Sequence, residues 1–449
     1  MPETLTLEIH HHDAWHRAAT VEVTSRVAGT RSHAALDYDM DYVVTWGAEG
    51  LRTEQWPRDY RAVSVRYPLN FAQHLADHWP PFLLDLMPQG GARRRLARRA
   101  GFADPDSPEV EFSLLLAAAG GPIGNVRIRE AWQREENRIV ENAFRGVSTE
   151  ELLSRSDWFD DTMDRFGYFA GGSSGVQGEW PKALFTQARD GLWYPDPMVR
   201  DIDAVDHAIV KLRRGDDRAY ELILQAEATY LEIARAFGLR VGRALTYRPG
   251  ILLIPRFDRQ VVGDRVIRLG QESLVAAKGI AEFGHVGSHE EYLRIIAHNC
   301  TDPVTEISEY ILRDVLNLAM GNTDNHGRNT ALQKLPDNTM ALTPLYDFAP
   351  MRLDPQLVPR STRWDCLSGQ DSDPDLAIVV RAASEILHEA GVQCEPGALV
   401  RPFMGKADFL MNLPAIATEA GLSRDVIDRG LARRQVAARA VERLHGARP

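Results

Sequence analysis

Between residues 320 and 329 the chain reads Met-Gly-Asn-Thr-Asp-Asn-His-Gly-Arg-Asn, and it returns after a short gap with Thr343-Pro-Leu-Tyr-Asp-Phe-Ala-Pro350. Asp324 and Asn329 stand in a D-x-x-x-x-N spacing, and Asp347 adds a second carboxylate just before Phe348. This set suits phosphoryl transfer, in which a protein does little covalent chemistry and must instead position reactants and neutralise charge. Asp324 can sit beside an attacking hydroxyl as base or orienter. The Asn329 amide and the Asp347 carboxylate are hard oxygen ligands of the kind Mg²⁺ prefers. Asp, Asn and His also crowd ordinary turns, so the spacing alone is a weak signal. Its weight comes from the elements around it.

An apolar helical run from Tyr310 to Met320 stops at Gly321 and delivers the loop. Residues 329 to 335 and 340 to 346 alternate as two short strands, with turn chemistry at Pro336-Asp-Asn-Thr339, so a hairpin should bring Asp347 back beside Asn329. Upstream, Gly171-Gly-Ser-Ser-Gly-Val-Gln177 lets backbone N–H groups approach phosphate oxygens without Cβ interference. Two lysines follow it, Lys182 and, at the end of a predicted strand, Lys211. A helix is predicted over 218–237, with Gly238 to stop it, and a buried strand over 250–258, stopped by Pro255.

The strings GNTDNHGRN and PLYDFAP resemble the catalytic and metal-binding segments of the HipA family, serine/threonine kinases of bacterial toxin-antitoxin modules. Ser173-Ser-Gly-Val-Gln177, Pro181-Lys-Ala-Leu184, Ala208-Ile-Val-Lys211, Pro255-Arg-Phe-Asp-Arg259 and Gly270-Gln-Glu-Ser273 resemble further family segments in the same order. The resemblance implies an α+β, protein-kinase-like two-lobed fold with a β-rich N-terminal subdomain over 1–165, a nucleotide-binding lobe over 166–257 and a mostly helical catalytic lobe over 258–449. It implies ATP and Mg²⁺ as cofactors, Asp324 as the catalytic base, and Asn329 and Asp347 as metal ligands. Nucleotide contacts are implied for Ser174, Gly175, Val176, Gln177, Lys182, Lys211, Pro255, Arg256, Phe257, His326, Asn329, Tyr346 and Asp347. Pro255 has no N–H and can offer only its carbonyl to a base, whereas Phe257 can donate.

Family members phosphorylate themselves on a serine of the glycine-rich loop, which aligns here with Ser174 or with Gly172. Glycine at the latter leaves Ser174 as the expected acceptor, with Ser173 second. The implied biology is a growth-arresting toxin that phosphorylates a translation component such as an aminoacyl-tRNA synthetase and is neutralised by a small DNA-binding antitoxin. Two alternatives share the same residues: a small-molecule phosphotransferase, and a non-catalytic nucleotide-binding pseudokinase module. The second needs a degraded site, and Lys211, Asp324, Asn329 and Asp347 are all present.

At 449 residues, 44% hydrophobic and 26% charged, the sequence has the composition of a globular protein of two or three domains. A net charge of -11 argues against a broad grip on nucleic acid, so little direct DNA contact is expected. The first residues lack a basic segment and apolar run, no stretch approaches membrane-spanning length, and Cys300, Cys366 and Cys394 form no metal or disulfide pattern, so a cytoplasmic setting is expected.

The N-terminal third predicts strands over 4–9 and 18–25, continued by 39–46, with helices over 70–86 and 110–119. His10-His-His12 reads as a solvated run and Arg93-Arg-Arg95 with Arg98 and Arg99 as the solvated face of a helix. Helices are predicted over 376–387 and 426–444.

Overall fold

The computed structural model describes residues 3–47, 59–141, 144–156, 159, 180–368 and 374–446. They fall into two compact units, Met1–Arg214 with Gly250–Gly284 and Gln333–Thr339, and Gly215–Pro249 with His285–Leu332 and Met340–Pro449. The cuts expected at 165 and 257 are not where the units divide. The Gly124 N–H donates to the Asp258 carboxylate at 2.9 Å and Arg259 donates to the Pro122 carbonyl at 2.9 Å, which bonds the segment after 257 into the N-terminal portion.

The first unit opens with strands Glu3–His11 and Ala14–Val23, paired antiparallel from Glu3 opposite Val23 to His11 opposite Ala14. Between them His12 and Asp13 both take positive φ (47° and 61°), the backbone of a two-residue hairpin turn. Strands His74–Ala76, Ala34–Tyr38 and Val126–Ile128 complete a five-stranded antiparallel sheet. Leu5, Leu7 and Ile9 recur with period two and enter a core with Val21, Leu36, Trp79, Phe112 and Leu115.

Four readings of this region change. Met40–Trp46 is a helix, not a strand, because the Asp39 carboxylate caps it by accepting from the Asp41 N–H at 3.1 Å. Over 70–86 there is strand His74–Ala76 and a 3₁₀ turn Pro81–Leu86, since Pro80-Pro81 cannot continue an α-helix. His10 and His11 are buried, not solvated, because their strand lies against Trp46 and Tyr42. Likewise Arg93 turns inward from helix Gly90–Arg99 to Glu111, at 3.3 Å.

A second sheet in this unit sets strands Trp193–Pro195, Lys182–Ala188, Ala204–Leu212 and Ile251–Pro255 in that order, all antiparallel. Its face buries Ala183, Phe185, Val210 and Ile251 against Val147, Leu152 and Phe159.

The second unit is mainly helical. Arg218–Phe237 forms over its whole predicted length, begun by the Asp217 cap and ended by Gly238 in the left-handed region. His289–Asn299 packs against Pro303–Met320 and Leu376–Glu389, and Arg434–Gly446 packs against Pro303–Met320 and Lys406–Glu419. The single helix expected over 426–444 is two, Arg424–Gly430 and Arg434–Gly446, joined by a 3₁₀ turn at Leu431–Arg433. No helix among the described residues is long and apolar enough to cross a membrane.

Candidate active site

Helix Pro303–Met320 carries the loop, and its end is specified twice. Gly321 takes φ 65°, and a Cβ there would lie 2.5 Å from the Gly430 carbonyl oxygen, so only glycine fits. The Tyr230 hydroxyl donates to the Met320 carbonyl at 2.9 Å and so satisfies one of the carbonyls a helix end leaves open.

The loop then folds on itself. Asn322 is bonded back to Asn317 through its side chain, at 2.9 Å, and its carbonyl-type oxygen faces the Asp324 N–H at 3.3 Å. The Asn329 N–H donates to the His326 carbonyl at 2.9 Å, and its side-chain Nδ2 donates to the Asp324 carbonyl at 2.9 Å. These bonds close the five-residue step from Asp324 to Asn329 into one turn. A Cβ at Gly327 would come within 2.2 Å of the Tyr292 ring, so that turn is packed as tightly as a glycine allows. His326 Nε2 stands 3.2 Å from an Asp324 carboxylate oxygen, and both side chains are partly exposed.

The predicted hairpin forms as Ala331–Lys334 and Met340–Leu342, shorter than the alternation suggested. At its base the Thr343 N–H donates to the Ala331 carbonyl at 2.9 Å. The returning arm is tied to the loop by the Tyr346 hydroxyl, which donates to the Arg328 carbonyl at 2.9 Å. Tyr346 precedes Asp347 and Arg328 precedes Asn329, so this one bond relates the two expected metal ligands. Phe348 is wholly buried, its ring 5.4 Å from that of Tyr230, which fixes the residue that follows Asp347. Asp347 itself has φ 52°, a conformation uncommon for a residue with a Cβ and one that neighbouring structure must hold.

A buried charge network locks this arrangement to the helix. Glu306 accepts from the Arg240 guanidinium at 2.7 Å and from the Leu342 N–H at 2.9 Å. Glu309 accepts from Arg313 at 2.8 Å, and Arg313 donates to the Thr343 carbonyl at 2.8 Å. Charge-assisted bonds of this kind are short and directional, so they set the position of the returning arm. The sequence gives no sign of them, because neither the i,i+4 pair nor Arg240 can be matched to its carbonyl without the fold.

The remaining expected site residues lie in the first unit. Lys182 and Lys211 are directly opposite in the antiparallel pair, hence on one face of the sheet, and both are buried. The Lys211 ammonium lies 5.4 Å from the centre of the Trp180 ring. Pro255 ends its strand opposite Ala208, followed in the chain by Arg256 and Phe257.

Arg256 does not fit a nucleotide-binding role through its side chain. Its guanidinium has no exposed surface and donates to both Asp258 oxygens, at 2.9 and 2.7 Å, while its N–H donates to the His207 carbonyl. Burial raises the Asp258 carboxyl and Arg256 and Arg259 overcome that, holding it well below the usual carboxylate range. Asp196 is lowered in the same way, by Arg256 and by His207 against its burial. The pair of arginines is structural. The glycine-rich residues Ser173, Ser174, Gly175, Val176 and Gln177 lie outside the described residues.

Among the described residues no group of three or more His, Cys, Asp or Glu side chains is arranged to hold a metal ion by itself. A hard divalent ion would need phosphate or water oxygens besides Asn329 and Asp347, which is the usual situation for Mg²⁺. The residues fit that role: with Nδ2 of Asn329 bonded to the Asp324 carbonyl, its oxygen is the atom left for a cation.

Comparisons with known proteins agree with this architecture. Residues 174–393 match the HipA-like C-terminal domain and residues 51–129 the HipA N-terminal domain. A structure of HipA from Shewanella oneidensis, determined with HipB and operator DNA, superposes with a TM-score of 0.60 at 18% identity, over 98% of each chain, and shows the shared fold. The Helicobacter pylori kinase CtkA aligns over 54% of this chain and 88% of its own, with a TM-score of 0.35 and 14% identity. "Putative kinase Y4mE" of Sinorhizobium fredii is 28% identical over 144 residues, 30% of this chain, and the match spans only 34% of that relative. With both domains matched in order and the fold shared from end to end, this chain belongs to the HipA family.

Proposed function

We propose that the protein is an ATP- and Mg²⁺-dependent serine/threonine protein kinase acting as the toxin of a HipA-like toxin-antitoxin module. The observation that carries this reading is the closed turn from Asp324 to Asn329, with the Asp347 arm bonded to it through Tyr346 and Arg328. Asp324 accepts the proton of the attacking hydroxyl, or orients it, and the partly exposed His326 is its neighbour. Asn329 and Asp347 hold Mg²⁺, which when bound neutralises charge on the phosphates. Lys182 and Lys211 contact phosphate oxygens, helped by the backbone of the loop containing Ser174, Gly175, Val176 and Gln177. The carbonyl of Pro255 and the N–H of Phe257 meet the adenine edge. Tyr346 acts chiefly by holding its arm.

The substrate is a protein of the translation apparatus, such as an aminoacyl-tRNA synthetase, with Ser174 or Ser173 phosphorylated in the kinase itself. The neutralising partner is a small DNA-binding antitoxin, in keeping with the HipA–HipB–operator complex of the Shewanella relative. The site works in the cytoplasm, where ATP is present.

Incubating the full chain with a cell lysate, Mg²⁺ and γ-labelled ATP tests this. Label should appear in protein and should vanish with Asp324→Asn. Label in a small metabolite instead would favour a small-molecule phosphotransferase, and binding of ATP without any transfer would favour a pseudokinase.

A further inference from the structure

Asn325 lies between Asp324 and His326, and its side chain is bonded outside the loop. Nδ2 donates to the Thr362 carbonyl at 2.9 Å, and Oδ1 accepts from the N–H groups of Ser361 at 3.1 Å and Thr362 at 3.2 Å. One amide therefore makes three bonds to a backbone segment 36 and 37 positions away.

That segment is pinned at nearly every residue. Arg360 is ion-paired with Asp314, and the Trp364 indole N–H donates to the same carboxylate at 2.9 Å. The Arg363 carbonyl accepts from the His289 N–H at 2.9 Å. The N–H groups of Asp365 and Cys366 donate to Glu290, at 2.9 and 3.0 Å. Asp314 belongs to helix Pro303–Met320 and Glu290 to helix His289–Asn299, so two packed helices hold residues 360–366 as a rigid strap. His289 stacks on Trp364 at 4.4 Å and closes the strap from one side. Asn325 is the link between this strap and the loop that bears Asp324.

We infer that Asn325 is a positioning residue for phosphoryl transfer: it fixes the backbone of Asp324 against the strap and so holds the carboxylate in place without touching the substrate. The inference rests on the kinase reading above. Its physical basis is the steep dependence of such steps on geometry, since a displacement of about 1 Å can cost about a hundredfold in rate. Asn is suited to the place because it alone among small side chains of this length offers one donor arm and one two-bond acceptor. Asp would lose the donated bond and place a second carboxylate beside that of Asp314, which the Asn325 amide also meets, so the neutral Ser is the milder change, and Ala would lose every bond.

The test measures transfer of label from ATP to proteins of a heat-treated lysate as a rate per nucleotide-binding site, with sites counted by equilibrium binding of a non-hydrolysable ATP analogue. Asn325→Ala should keep the site count and bind the analogue within about twofold, yet transfer at least about tenfold more slowly per site. Asn325→Ser, neutral and able to keep one of the bonds, should fall between it and the parent. A purely structural residue would lower the number of sites and leave the rate per site alone. Equal rates per site in the parent and Asn325→Ala overturn the inference. If Asn325→Ala yields no binding sites, Asn325→Ser decides by the same criterion. A parent chain that binds the analogue and transfers nothing overturns the kinase reading, and the inference with it.

Discussion

The hydroxyl of Tyr346 donates to the carbonyl of Arg328 at 2.9 Å, and this bond relates the two arms that bear Asp347 and Asn329. The hairpin between them sets only the approach of its ends. The phenol sets their separation, because it joins neighbours of both proposed metal ligands at a fixed distance. Tyr346→Phe removes a bond worth about 1 kcal/mol net and leaves a carbonyl without its donor. The expected result is a several-fold higher Mg²⁺ concentration for half-maximal transfer, with little change in thermal midpoint. A Mg²⁺ titration of transfer rate checks it.

Asp324→Asn should preserve nucleotide binding and abolish the acceptance of a proton by that side chain. A loss of about 10² to 10⁴ in transfer rate is expected, the range associated with a positioned base. Undiminished transfer by the variant would remove Asp324 from the mechanism. Replacing Asn329 by Ala should act differently, since it removes both a metal ligand and the amide that closes the turn on the Asp324 carbonyl. Both rate and Mg²⁺ requirement should suffer.

Asp258 accepts from Arg256, Arg259 and the Gly124 N–H within a fully buried cluster. Asp258→Ala leaves two buried guanidinium groups facing each other with one fewer counter-charge, and a loss of about 3–5 kcal/mol in stability follows from breaking such a pair. Urea unfolding of the first unit should show it. Arg256→Ala should also lower stability, and analogue binding per folded chain should be unchanged.

His10 and His11 are held neutral in the fold, chiefly by burial and then by neighbouring groups, first Arg268 for His10 and His16 for His11, which bring them to about 2 and about 3 from the ordinary 6.5. The unfolded chain takes up these protons first as pH falls. Their contribution is therefore complete above pH 6.5 and is lost progressively below it, with a limiting slope of about 1.4 kcal/mol per pH unit for each histidine. The urea midpoint should fall steadily between pH 6.5 and 4.5, and His11→Gln should flatten the decline. A midpoint constant over that range would contradict the burial of this pair in solution.

The sequence determined the local features whose causes lie within a few residues. Helix Arg218–Phe237 was legible because its apolar period and Gly238 agree, and the end of Pro303–Met320 was legible because Gly321 has a backbone need no other residue meets. The spacing of Asp324, Asn329 and Asp347 and the resemblance to the HipA family were legible for the same reason: they are properties of order along the chain. Tertiary structure decided the rest. Residues 40–46 became a helix because the Asp39 cap outweighed their strand-like composition, and His10 and His11 became buried because their strand lies against Tyr42 and Trp46. Arg93 and Arg256 found carboxylates that no pattern could assign. Asn325 reads as one more polar loop residue until Ser361 and Thr362 are brought beside it. Partners so far apart in the chain pair only when packing elsewhere has already fixed both backbones, and that cooperation has no counterpart in a local string of letters.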